Sequence, residues 1–138
     1  MPEGWNCQKG ASLLIPSGPE NKKHLFALML DPIQIDGYGS KLCVLLACVT
    51  SVTAGVQVED ACLLEPGDHP FVDHDSYVDY RFTRLESVEH LQGRVREGTF
   101  IEKEPCSPEL ITRIIQGALK SRRISREFKQ LLEKVLFD

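Results

Sequence analysis

From Leu42 to Val49 the chain reads "LCVLLACV", an apolar run with no polar position left to face water. A half-buried strand would alternate and an amphipathic helix would carry a polar stripe. A short run with neither pattern, rich in residues that suit pleated backbone, predicts a strand covered on both faces. The rest of the chain must then supply two layers of cover.

Shorter apolar runs stand on either side. "ASLLIP" and "HLFALML" are parted by "SGPENKK", whose Ser, Gly, Pro and Asn mark a loop. The Gly-rich "QIDGYGS" breaks periodicity before the central run. After it, "VQVEDACLLEPGDHP" alternates in part and ends in Pro-Gly turn chemistry. "YVDYRFTRL" then resumes alternation, which predicts Tyr77, Asp79, Arg81 and Thr83 on one face and Val78, Tyr80, Phe82 and Arg84 on the other. Short strands joined by close turns predict a small barrel. "SVEHLQGRVREGTF" fits a helical turn over residues 88–91 and a short strand over 98–101.

The last third changes period. Ser107 is an N-cap residue, Pro108 suits the first helical position and Glu109 the positive end of the dipole. Leu110, Ile111, Ile114, Ile115, Ala118 and Leu119 follow at helical spacing. A second helix begins at Ser125 and gathers Phe128, Leu131, Leu132, Val135 and Leu136 on one side. The turn between them, "SRRIS", is short enough for a helical hairpin. The fold expected is mainly β within α+β: a barrel over residues 1–106 and a helical hairpin over 107–138 packed on it.

Composition bounds the partners. A length of 138 residues suits one domain with one sizeable core. No apolar run approaches the roughly 20 residues of a membrane span, and "MPEGWNCQKG" lacks the pattern of a secretion signal, so a cytoplasmic protein with no membrane partner is expected. The five cysteines form neither a CxxC pair nor a zinc-finger pattern and read as reduced thiols, three of them inside apolar runs. A net charge of −4 argues against a general nucleic-acid coat. The average hides an asymmetry, because from Ser107 onward seven Lys and Arg stand against four Asp and Glu.

In "GDHPFVDHD", His69 and His74 alternate with Asp68, Asp73 and Asp75, which are ligand types for zinc or manganese. Pro70 prevents the helical spacing that makes such pairs specific. No metal site and no cofactor are therefore expected, and the loop reads as a structured turn bordering a groove, with Pro70 and Phe71 packed and its polar residues facing water.

Laid out as strands, the order of motifs resembles the MazF/PemK (Kid-like) toxins. "GASLLIP" looks like their opening strand, "GPENKKHLFALML" like their loop and second strand, and "LACVTSVTAG" like their central strand with Thr50 and Ser51. "DSYVDYRFTRLESVEHL" is similar to the family's D-S-V and R-T-I segment. The likeness spans about the first 92 residues. It departs at Ala11, where the family usually has an acidic residue, and at Lys23-His24, where it has Arg-Pro. The resemblance implies an SH3-like barrel and a dimeric endoribonuclease, neutralised by an antitoxin protein.

Metal-free RNA cleavage needs a base for the 2′-hydroxyl proton, an acid for the leaving oxygen and positive charge against the phosphate. His24 titrates near neutrality and suits the first or second role. Lys22 or Lys23 would supply charge, Thr50 or Ser51 a hydroxyl, and Arg81 a second phosphate contact oriented by Asp79. Catalytic roles thus fall to Lys23, His24, Thr50 and Arg81, and RNA contacts to Lys22, Ser51, His69, His74 and Asp79. Each has a plainer reading: solvated lysines, hydroxyls closing local backbone groups, and a surface Asp–Arg pair worth under about 1 kcal/mol. The alternative to the nuclease is a non-catalytic barrel, for example a prophage or accessory protein, that binds a protein partner.

Overall fold

The computed structural model describes residues 5–17 and 22–137. The four residues 18–21 of the expected polar connection lie outside them.

Eight strands among the described residues form one antiparallel sheet. They are β1 (Ser12–Pro16), β2 (Lys23–Leu28), β3 (Ile33–Gln34), β4 (Leu42–Ser51), β5 (Leu63–Leu64), β6 (Ser76–Val78), β7 (Arg84–Ser87) and β8 (Ile101–Lys103). The path runs β5-β6-β4-β2-β1-β8, with β3 and β7 also paired to β4. Three helices complete the α+β fold: α1 (Val88–Glu97), α2 (Pro108–Lys120) and α3 (Arg126–Phe137).

β4 is the predicted central strand, and every residue from Cys43 to Val49 is buried. Its alternation splits the core in two. Leu45, Ala47 and Val49 join Leu25, Ala27 and Val78 under Leu110, Ile114 and Ala118 of α2 and Leu132 of α3. Val44, Leu46 and Cys48 join Leu13, Ile15 and Phe26 under Leu91 of α1, Phe100 and Trp5. Each fully buried Leu, Ile or Val contributes about 1.5–3 kcal/mol, against under about 1 kcal/mol for an exposed ion pair. The two apolar layers therefore hold the fold, which leaves exposed polar side chains free for other work.

Three local expectations are corrected. The alternation through "YVDYRFTRL" is not one strand: β6 stops at Val78, a 3₁₀ turn covers Tyr80–Phe82, and β7 starts at Arg84. The Asp79 carboxylate ends the strand by accepting the Arg81 backbone N–H at 3.2 Å, a local bond that competes with the ladder. The helical turn expected at 88–91 extends to Glu97 as α1. Ser87 caps its start, accepting the His90 N–H at 3.1 Å, and Gly98 closes it at φ 83°. The strand after it lies at Ile101–Lys103 instead of 98–101.

The C-terminal helices follow their caps. Ser107 Oγ accepts the Leu110 N–H, and Ser125 Oγ accepts the Phe128 N–H. Their junction is clasped from the body of the chain, since the Glu59 carboxylate accepts from Ser121 Oγ and from the Arg122 N–H, both at 2.8 Å. No helix of the described residues is long and apolar enough to cross a membrane.

Candidate functional site

Where β4 runs out of core, Thr50 and Ser51 become half-exposed, and two cavities open on either side of them. One, of about 570 Å³, is lined by His24, Thr50, Ser51, Asp79, Arg81 and Phe82, with Ser17 and Cys48 beside them. The other, of about 470 Å³, is lined by Lys22, Lys23, His24, Thr50, Ser51 and His74, with Phe71 and Val72 at its apolar side. His24, Thr50 and Ser51 belong to both.

The ladder explains this convergence. β2 runs antiparallel to β4, with Leu25 opposite Val49, so His24 emerges next to Thr50. β6 pairs along the other edge, Thr50 opposite Tyr77 and Ser51 opposite Ser76. The chain then turns outward, and the Asp79 N–H donates to the Cys48 carbonyl at 2.8 Å. That turn is pinned from beneath, because the buried Tyr80 hydroxyl donates to the Ile114 carbonyl of α2 at 2.6 Å.

Arg81 projects from the pinned turn. Its Nε and Nη2 donate to Asp79 Oδ1 and Oδ2 at 2.9 and 2.7 Å, a bidentate pair in which the carboxylate is 2% exposed and the guanidinium 50%. Burial pushes the Asp79 carboxyl up, but the hydrogen bonds and charge of Arg81 outweigh it and hold the group below its ordinary value. Asp79 thus stays charged and fixes the guanidinium, whose outer edge faces the cavity.

His24 Nδ1 lies 2.7 Å from Ser17 Oγ. Burial, and then the nearby Lys22 ammonium, lower its pKa. The ring is therefore neutral at physiological pH, with Nδ1 held and Nε2 without a partner among the described residues. Cys48 lines the same cavity, yet burial pushes its thiol up to about 12, so it offers no thiolate.

Of the residues singled out in the sequence, the cavities gather Lys22, Lys23, His24, Thr50, Ser51, His74, Asp79 and Arg81. His69 stands apart, at 1% exposure. Its Nε2 donates to the Glu104 carbonyl at 2.7 Å and its Nδ1 accepts the Phe71 N–H at 3.0 Å, which ties the loop to the segment after β8 and leaves no nitrogen for a ligand. Among the described residues no three His, Cys, Asp or Glu side chains group as a metal site.

Two aromatics depart from the sequence reading: Phe82 was passed over, and Phe71, expected to be packed with Pro70, is exposed along with it, because the buried residue of this turn is His69. Phe82, 56% exposed, lies with its ring 5.2 Å from the Arg81 guanidinium carbon, and Phe71, 43% exposed, has its ring centre 5.6 Å from the Lys103 ammonium. A basic residue adjacent to an aromatic at a turn was the available signal for Phe82. For Phe71 the partner is remote in sequence and gives none. Ser17, the other neighbour of His24, also carried no signal.

Models of known families, curated proteins and solved structures all give no match to this chain.

Proposed function

We propose that the chain is a metal-independent endoribonuclease of the MazF/PemK (Kid-like) kind, built on an SH3-like barrel and restrained by an antitoxin protein. The observation that carries the reading is the convergence of His24, Thr50, Ser51 and Arg81 on one cavity from three separate segments. The β4-centred antiparallel sheet, with four other strands paired along β4, is compatible with such a barrel.

In this reading neutral His24, with its Nδ1–H donated to Ser17, uses Nε2 to take the proton of a ribose 2′-hydroxyl. The 2′-oxygen attacks the adjacent phosphorus and the bond to the 5′-oxygen breaks; the proton held on the His24 imidazolium passes through water to that oxygen, so a 2′,3′-cyclic phosphate and a 5′-hydroxyl result and the neutral ring is restored. Arg81, preset by Asp79, and Lys23 face the charge that develops on phosphate. Thr50 and Ser51 position it, Lys22 and His74 border the strand's path, and Phe82 offers a face for a base. Two copies of the chain forming a homodimer would bring two such clefts together.

The test is incubation of purified protein with single-stranded RNA in excess chelator. Cleavage to cyclic-phosphate ends, lost in His24→Ala and Arg81→Ala proteins of unchanged circular dichroism, is the expected result. Intact RNA with folded protein rejects the nuclease.

One observation favours the non-catalytic alternative, a protein-binding barrel. A cavity of about 540 Å³, lined by Ile33, Tyr38, Leu85, Phe128, Leu131 and Val135, shares no residue with the cleft. Stable capture of a protein partner that survives His24→Ala and Arg81→Ala but not Phe128→Asp, without RNA cleavage, would favour it.

A further inference from the structure

We propose that Ser51, His74 and Asp73 form a nucleophilic triad, giving this chain an esterase activity toward small anionic esters that does not depend on the RNA reading. Ser51 Oγ lies 2.5 Å from His74 Nε2, and His74 Nδ1 lies 2.5 Å from Asp73 Oδ1. The two contacts use opposite nitrogens of one ring. With Nδ1–H donated to the carboxylate, Nε2 carries the lone pair and faces the hydroxyl, which is the arrangement that activates a serine.

The framework holds these groups in place. Ser51 closes β4 opposite Ser76, the Val52 N–H donates to the Asp75 carbonyl at 3.0 Å, and Ser76 Oγ donates to the His74 carbonyl at 2.9 Å. The loop bearing the base is thus tied at two points to the strand bearing the nucleophile.

The triad opens on the 470 Å³ cavity, a volume suited to a small ligand. Val49, Phe71 and Val72 form an apolar side, and Lys22 and Lys23 a cationic one. The substrate class that fits is an ester with a short apolar acyl group and a carboxylate or phosphate elsewhere in the molecule. The lysines would bind that anion and lower the cost of the alkoxide formed in the reaction.

The steps balance without a cofactor. As Ser51 Oγ bonds to the ester carbonyl carbon, its proton passes to His74 Nε2. The tetrahedral alkoxide collapses, the bond to the alcohol oxygen breaks, and the imidazolium returns the proton to the leaving alkoxide. Water, deprotonated by the same nitrogen, then attacks the acyl-serine, releasing a carboxylic acid and restoring the hydroxyl. The His74 side chain is 60% exposed and that of Asp73 83%, so water reaches the acyl-enzyme freely.

A small alkyl fluorophosphonate tests this directly, since it labels activated serines and needs no RNA. Mass spectrometry of wild-type protein is expected to find one adduct, on Ser51. Labelling should be absent in Ser51→Ala and at least about tenfold slower in His74→Ala and Asp73→Asn. His74 and Asp73 are surface side chains, so their replacement leaves both cores intact. No adduct on Ser51, or equal labelling of Ser51 in wild type and His74→Ala, overturns the triad. Because the reading is at Ser51 itself, either result is separable from success or failure of RNA cleavage.

Discussion

The Tyr80 hydroxyl occupies the space that a side chain on Gly117 would need. A Cβ built there would overlap the phenolic oxygen and sit 2.9 Å from both the Ala61 carbonyl oxygen and the Cys62 Cβ. The glycine lets α2 approach closely enough for Tyr80 to reach the Ile114 carbonyl, and so anchors the turn that carries Arg81.

Gly117→Ala is therefore expected to destabilise the fold despite the better helix propensity of alanine. Overpacking of this kind costs about 1–3 kcal/mol, more than the roughly 1 kcal/mol that the propensity returns. Denaturant titration measures the difference. An unchanged or increased midpoint would show that the contact relaxes at no cost.

The Asp79–Arg81 pair carries a pH signature. The folded carboxyl titrates below its ordinary value of about 3.9, so its contribution is complete above that pH and is lost as pH falls through the folded value. Asp79→Asn should lower the thermal midpoint at pH 7, and the gap from wild type should close in strong acid. It should also weaken cleavage by unfixing the guanidinium. Parallel melting curves of the two proteins from pH 2 to pH 7 would contradict this.

Lys22→Ala should raise the pKa of His24 part of the way toward about 6.5, leaving the effect of burial in place. The base must be neutral to act, so the acid limb of the cleavage profile should move to higher pH by the same amount. Protonation favours the unfolded chain here, because the folded value is the lower one. The associated stability is complete above about pH 6.5 and declines as pH falls toward the folded value. Proton NMR titration of the imidazole follows the shift, and an unmoved curve would remove Lys22 from the account.

Phe82→Ala should weaken binding of single-stranded RNA by about 1–3 kcal/mol, the usual contribution of one stacked base, while leaving stability nearly unchanged because the ring is already in solvent. Fluorescence anisotropy with a short labelled RNA reads this. Equal affinity would assign Phe82 a local role beside Arg81 only.

What the sequence disclosed follows the reach of its physical signals. The unbroken apolar run announced β4, and Ser107-Pro108 announced α2, because burial on both faces and N-capping leave marks within a few residues. The alternation after Tyr77 misled, because a period of two cannot reveal a buried Asp79 bonding forward to Arg81 and breaking the strand. His69 and His74 were alike as letters and proved opposite in place, one sealed against the Glu104 carbonyl and one on the rim. Only the pairing of β1 with β8, remote in the chain, separates them. His24 and Arg81 were found as chemistry, but their shared cavity depends on β2 and β6 flanking opposite edges of β4.

The strand that is hardest to alter ends in two residues whose replacement costs the fold little. Seven consecutive positions from Cys43 admit little besides small and medium hydrophobes, whereas Thr50 and Ser51, borne on the same rigid backbone, touch neither core. Selection can therefore retune what the cleft accepts without renegotiating foldability, and drift in specificity among descendants of this chain should outpace drift in architecture.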